Sequence, residues 1–291
     1  MTTVAKTPTT PAGRRRTFGR VAGFLALCLG ASLFIFPFYY MVVGALQPQP
    51  DPGISGAFPS PGELSLTNFH TINERVHLLR ALFNSVVYTG GVILGTLIIG
   101  ILAGYALSRL RWRGRSLVLN LVLLTLIIPF QLLMIPMYVL IVRGWGLADS
   151  YLGMILPFLV NSTAVFVFRQ FFMQLPEDML DAARIDGASE FRILTQIVLP
   201  LSKPAILTAA LITFIGPWNE FLWPFLVTKK AEMQPLAVAL ANYISAVAAS
   251  TANPFGAILA GAVVLAVPAV VLFMIFQRYF VESDTSTSLK E

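Results

Sequence analysis

The sequence predicts an all-α integral membrane protein with six transmembrane helices and a structured helical segment on its cytoplasmic side. Three observations carry this. Of 291 residues, 56% are hydrophobic and 12% charged, with a mean hydropathy of +0.76. Soluble domains carry roughly 25% charged residues, so this chain has too little polar surface to cover a globule in water. Six apolar runs approach or exceed the roughly 20 residues needed to cross a hydrocarbon core about 30 Å thick. Finally, Lys and Arg are divided unequally between the two sets of connecting segments.

Residues 1–20 read as a cytoplasmic tail, disordered where Thr, Pro and Ala dominate and ending in Arg14, Arg15, Arg16 and Arg20. The apolar run that follows, Val21 to about Leu46, is longer than the roughly 7–15 residues of a signal-peptide core. No small-residue cleavage site marks its end, so it reads as a retained first span. The further spans fall at approximately 84–108, 116–142, 151–173, 204–228 and 256–280. Open backbone is not tolerated in lipid, which makes them helices. A tail at 281–291 closes the chain.

One side holds Lys6, the four arginines of the tail, Arg109, Arg111, Arg113, Arg115, Arg169, Arg184, Arg192, Lys203, Arg278 and Lys290. The other holds Arg75, Arg80, Arg143, Lys229 and Lys230. Fifteen against five places both termini in the cytoplasm, in agreement with an even number of spans. The net charge of +6 therefore fits membrane orientation rather than nucleic-acid binding. The external loop 47–83 is rich in Pro and Gly and cannot be one long helix, although Leu64 to Leu82 has room for a short one.

Cys28 is the only cysteine, so no disulfide forms within the chain. His70 and His77 share a polar loop with no further Cys or His near them, which argues against a metal site. No phosphate-binding Gly-rich motif occurs, so the chain carries no nucleotide-binding domain of its own. No Ser–His pair, paired carboxylates or His-rich cluster lies in the spans, so catalysis by this chain is not expected.

The segment from Phe172 to Ser202, between spans four and five, is too long for a minimal helical connection. Pro176 followed by Glu177, Asp178 and Asp181 signals a helix start. Gly187 supplies a left-handed stop. A second short helix begins at Ser189 and is expected to stop before Pro200. On the first helix Ala182 and Ala183 allow close backbone approach, and Met179, Leu180 and Ile185 add apolar surface. The residues leave two readings open: a docking element for a partner groove, or a surface helix resting on lipid headgroups.

Asp181-Ala182-Ala183, then Gly187, Ile197 and Leu199-Pro200 at their spacings, resembles the EAA loop of bacterial ABC importer permeases. That pattern is Glu-Ala-Ala, three residues, Gly, nine residues, Ile, one residue, Leu-Pro. Asp181 for Glu is the one departure, and it keeps the charge while shortening the reach by a methylene. Arg80-Ala81-Leu82-Phe83-Asn84-Ser85, Ala103 to Leu110 and Arg169-Gln170-Phe171-Phe172 resemble further stretches of the same family. Trp218-Asn219-Glu220-Phe221-Leu222-Trp223-Pro224 resembles the fifth-helix motif of its carbohydrate-uptake branch, in particular the shorter of the two paired permeases of maltose-type transporters.

The resemblance implies the type I importer permease fold, with residues 21–280 as the permease domain and 172–202 as its coupling loop. It implies that Asp181, Ala182, Ala183, Gly187, Ile197, Leu199 and Pro200 belong to the coupling element that docks into an ATPase subunit. The implied partners are a second permease subunit, two ATPase subunits that bind ATP and Mg, an extracytoplasmic solute-binding protein and the bilayer of the bacterial inner membrane. Sugars and glycerol-3-phosphate are the implied cargo. This chain itself would be non-catalytic and cofactor-free.

For the translocation path the candidates are Gln131, Asn161, Trp218, Asn219 and Glu220, with Ser162 and Thr163 beside Asn161. Each has a second reading. The mid-span polar groups could bond neighbouring helices, and Glu220 could sit at the outer interface bonded to Asn219 or an indole. Trp218 and Trp223 could stack on a sugar or anchor at the interface. Pro129, Pro136, Pro157, Pro217, Pro224 and Pro268 interrupt spans three to six. The Arg109–Arg115 cluster reads mainly as an orientation signal. Two other functions remain on the residues alone: an ion-coupled secondary transporter, for which Glu220 is the one supporting group, and an ABC permease of a non-sugar branch.

Overall fold

A computed structural model of the chain describes residues 12–59, 62, 64–247 and 254–285. No strand occurs among the described residues. The chain divides into two compact units, residues 1–71 with 252–264, and residues 72–251 with 265–291.

In the first unit, helix α1 (Ala12–Leu46) includes the apolar stretch Arg20–Leu46. It thus takes in residues 12–20, assigned above to a tail; residues 1–11 lie outside the described residues. Beyond α1 the Pro/Gly-rich segment folds back on the helix end through side chains. The Tyr40 hydroxyl donates to the carbonyls of Asp51 at 2.7 Å and Gly53 at 3.3 Å, and Gln47 Nε2 donates to Gly56 O at 2.6 Å. The Asp51 carboxylate accepts from the Gly53 N–H and the Ser55 hydroxyl, and these bonds, Ser55 first, hold it below the ordinary carboxylate range. The last carbonyls of a helix need outside partners; the amide of Asn68 donates to Ala45 O and Gln47 O. Asn68 lies on α2 (Thr67–Val76), the short helix expected between Leu64 and Leu82.

In the second unit, α3 (Leu78–Ser108) is the long axis of packing. Asn84 and Ser85 at its start pin the distant segment 232–236. Asn84 Nδ2 donates to Glu232 O at 2.9 Å and Gln234 O at 3.0 Å, and Ser85 Oγ accepts from Leu236 N at 2.9 Å. The third predicted span does not form one straight helix. α4 (Arg115–Thr125) and α5 (Phe130–Tyr138), the latter extended by a π-helical stretch Val139–Gly144, meet at 96°. Pro129 is the cause: it has no N–H for a continuing helix, and it caps α5 in extended conformation.

The fourth span is also broken, by 51°, between α6 (Tyr151–Ile155), prolonged by a 3₁₀ turn Leu156–Phe158, and α7 (Ser162–Met173). Both halves lie against glycines of α3. Gly91 faces Ile155, Gly95 faces Leu159, and a Cβ on Gly104 would fall 2.7 Å from that of Phe168. Absent side chains let the helices approach closely, as is common inside membranes.

The segment between spans four and five forms α8 (Glu177–Ile185) and α9 (Glu190–Ile193), then a π-helical stretch Leu194–Val198 and α10 (Leu199–Leu201). The second helix does not stop before Pro200, as expected above, but passes through it. The wider turn, in which the Leu199 N–H bonds Leu194 O, makes room for a residue that cannot bond back. The fifth span is α11 (Lys203–Asn219) followed, after a break at Glu220, by α12 (Leu222–Val227). Glu190–Leu201 meets α11 at 79°, and its Glu190 and Arg192 unfit it for lipid.

α13 (Leu236–Val247) lies in the segment 229–255 between spans five and six, where no helix was anticipated. α14 (Phe255–Thr285) contains the sixth span and runs into the stretch assigned to a C-terminal tail; residues 286–291 lie outside the described residues. Among the described residues, three helices are long and apolar enough to cross a membrane, and up to six spans result by length and composition if each bent pair counts as one.

Candidate functional site

The loop between spans four and five is built as the sequence implies, bounded by Pro176 and Gly187. Gly187 has φ of +80°, in the left-handed region where a side chain is strained. Its N–H bonds Arg184 O, and the Ala188 N–H bonds Ala183 O, both at 3.0 Å. This pair of bonds is the Schellman closure of a helix end. Ser189 then opens α9, its hydroxyl accepting from the Arg192 N–H at 3.3 Å.

Nine residues make little more than two turns, so α8 must lean on something. Leu180 is fully buried in a cluster with Tyr105, Phe168, Phe172, Ile193, Leu194 and Val198, and Met179 and Ala183 pack against the same cluster. Met179 and Leu180 are therefore not surface for a partner, as the sequence had suggested; they hold α8 to its own chain. The opposite face carries Asp178, Asp181, Ala182 and Ile185, all exposed, with Phe191 of α9 exposed nearby in sequence. Ile197 and Leu199 are partly buried against the same core, Pro200 is exposed, and all three shape the second helix. Of the matched residues, Asp181 and Ala182 stand on the free face.

Polar groups complete the attachment. Arg184 donates to Asp181 Oδ1 at 2.6 Å and, through Nε, to Glu190 Oε1 at 2.8 Å; Glu190 Oε2 accepts from the Tyr105 hydroxyl at 2.5 Å. Arg184 chiefly holds Glu190 below the ordinary carboxylate range, and Glu190 in turn raises Arg184. Arg109, next to the end of α3, donates to the carbonyls of Phe172 (2.9 Å from Nε), which also accepts from the Leu175 N–H at 3.2 Å, and of Leu175, at and just past the end of α7. Arg115 does the same for α3, donating to Leu107 O at 2.8 Å and Ser108 O at 3.1 Å. Two residues of the cluster read as an orientation signal thus close helix ends as well.

The path candidates are only partly brought together. A cavity of about 360 Å³ opens at the breaks of spans three and four, lined by Thr125, Asn161, Ser162, Thr163, Thr213 and Pro217 among apolar neighbours. Asn161 also caps α7, accepting from the Ala164 N–H at 3.1 Å, and the Thr125 and Ser162 hydroxyls bond each other. Gln131 is exposed and is not part of this lining. Asn219, also exposed, bonds Ile215 O at 3.0 Å.

Trp218 and Trp223 are buried and neither offers a face for stacking on a sugar. Trp218 Nε1 donates to Leu265 O at 3.0 Å, and Trp223 Nε1 to Gly153 O at 3.1 Å. Glu220 accepts from the backbone N–H of Trp223 at 3.2 Å, so it bonds neither Asn219 nor an indole but stabilises the restart of the helix. Thr125 and Thr213 were missed. Their one signal was a polar residue inside an apolar run. No cluster of three or more His, Cys, Asp or Glu suited to a metal occurs among the described residues.

Comparison with known proteins gives consistent matches. Residues 96–283 match the family model described as "binding-protein-dependent transport system inner membrane component". The arabinooligosaccharides transport system permease protein AraQ of Bacillus subtilis (strain 168) is 33% identical, over 93% of this chain and 96% of the relative. The sn-glycerol-3-phosphate transport system permease protein UgpE of Agrobacterium fabrum is also 33% identical, over 94% of this chain and 98% of the relative. In a crystal structure of a bacterial ABC transporter involved in the import of the acidic polysaccharide alginate, one chain superposes with a TM-score of 0.79 at 25% identity. The match covers 94% of this chain and all of that one.

Proposed function

This chain belongs to the family of binding-protein-dependent transport inner membrane components, and from that premise we propose that it forms half of the translocation path of an ATP-driven importer of a carbohydrate or glycerol-3-phosphate. It is a multi-pass, non-catalytic permease subunit of an ABC importer, and its class works with ATPase and solute-binding partners. The second half of the path is a second permease subunit, and both termini of this chain lie in the cytoplasm, as the Lys and Arg distribution favours.

The observation that carries the proposal is the two-faced helix α8. One face is buried on this chain's own core at Leu180, and the other stands bare at Asp181, Ala182 and Ile185. The bare face docks in a groove of an ATPase subunit. Gly187, Ile197, Leu199 and Pro200 keep the element in shape behind it. When two ATPase subunits close on ATP and Mg, α8 moves with its groove and reorients the cavity at Asn161, Ser162 and Thr163. Gln131, Asn219 and Glu220, outside that lining, act in the path only if a conformational change carries them there. The binding protein delivers its ligand at the external segments 47–83 and 229–255.

Relatives named for arabinooligosaccharides and glycerol-3-phosphate direct the choice of cargo to test. Uptake of labelled arabinan oligosaccharides and of labelled glycerol-3-phosphate is to be measured in cells expressing the whole transporter. At least one is expected to enter, to stop entering when ATP is depleted, and to continue when an ionophore collapses the ion gradients. Uptake that follows the ion gradient instead would overturn the proposal.

A further inference from the structure

Two different kinds of contact hold α8 to the membrane part of the chain. Leu180 packs in an apolar cluster, a contact without direction. Arg184 and Glu190 form a chain of charge-assisted hydrogen bonds, which are directional and break when their geometry is lost. The chain ends on Tyr105, only 4% exposed, whose ring packs edge-on to Phe172 at 6.2 Å and leaves the hydroxyl no freedom to follow a loose partner.

Tyr105 also occupies a particular place on α3. It adjoins Gly104, which lies against Phe168 of α7, and the same helix carries Gly95 and Gly91 against Leu159 and Ile155. Those residues lie on both sides of the break in span four, and the break lines the cavity through Asn161 and Ser162. A pull delivered at Tyr105 therefore reaches both halves of the cavity wall along one continuous helix.

We propose that the Tyr105–Glu190–Arg184–Asp181 chain is the link that hands movement of α8 to α3, with Glu190 as the positioning residue on which it turns. This rests on the importer reading above and adds to it the specific bonds that carry the stroke. Removing the link should leave the docking face intact, so the ATPase still binds and hydrolyses ATP while the cavity no longer follows.

The test uses the whole transporter, both permeases, the ATPase pair and the binding protein, in lipid nanodiscs. In a Cys28→Ser background, a nitroxide attached after Thr163→Cys reports access of a water-soluble nickel chelate to the cavity. Access is compared before and after trapping with ATP, Mg and vanadate. In the parent, trapping is expected to change access. In Tyr105→Phe and Glu190→Gln, ATPase binding and hydrolysis should stay at parental levels while that change shrinks by about threefold to tenfold, the range for losing the net contribution of one typical hydrogen bond. Tyr105→Phe keeps the packed ring and carries the test if Glu190→Gln does not assemble. Arg111→Ala, which breaks only an exposed pair with Glu177 at 3.8 Å, should change nothing. A full access change in both link variants overturns the link and leaves the importer reading standing. A parent complex that captures no ATPase overturns the reading itself.

Discussion

Leu180 and Ile185 lie on opposite faces of one nine-residue helix, the first fully buried and the second 87% exposed. Their truncations should therefore separate two properties. Leu180→Ala opens a hole in the cluster beneath α8 and should destabilise the protein by about 2–5 kcal/mol, read as a lower melting temperature in detergent. Ile185→Ala should leave melting unchanged but weaken capture of the ATPase by about tenfold, as for an apolar anchor at an interface. Equal effects of both on melting would mean that the two faces are not distinct.

Gly187 has φ of +80°, and beyond its own chain neighbours nothing lies within 4 Å of the place where a Cβ would stand. Crowding is therefore not the issue, and only backbone strain is. Gly187→Val should cost about 1–2 kcal/mol of local strain and distort the turn that orients α8. The expected outcome is ATP hydrolysis that continues with less transport per ATP, measured as uptake and phosphate release in the same vesicles. Gly187→Asn, which tolerates the left-handed conformation, should lie between the two.

Arg109 bonds two carbonyls at the end of α7 with one planar fork. A lysine ammonium has the charge but not the fork. Arg109→Ala should destabilise by about 1–3 kcal/mol, and Arg109→Lys should recover only part of this in thermal unfolding. Complete recovery by Lys would reduce the role of Arg109 to charge alone.

The Arg184–Glu190 pair gives a pH signature. Its folded carboxylate titrates below the ordinary value of 4.5, mainly because Arg184 donates to it. A depressed acid contributes stability above its unfolded value and loses it as pH falls through the folded value. The pair should thus persist at pH 5 and fail at lower pH. Melting followed from pH 7 to about 3 should show an acid-side loss that is smaller in Glu190→Gln; an identical loss in the variant would assign it to other carboxylates.

Much of this was legible in the sequence because composition and spacing act locally. Six apolar runs, a Pro start, a Gly stop and the Ser189 cap are one-dimensional signals, and each has its counterpart in the structure. The breaks in spans three and four were less legible. A proline within an apolar run signals a kink but not whether the helix bends by 51° or 96°. Which face of α8 is buried was illegible for a different reason. Met179, Leu180 and Ile185 are all apolar, and the choice among them is made by Phe168 and Phe172, on a helix that precedes α8. The roles of Trp218, Trp223 and Glu220 likewise depend on backbone partners, of which Leu265 and Gly153 are remote in sequence.

The docking claim is tested most directly by a photo-cross-linker placed at single positions of α8 in the assembled transporter. Attached at Ala182, on the bare face, it should capture an ATPase subunit in high yield; attached at Met179, against the core, it should capture this chain's own residues. An assembled, ATP-hydrolysing complex that yields no ATPase adduct from Ala182 would contradict the account.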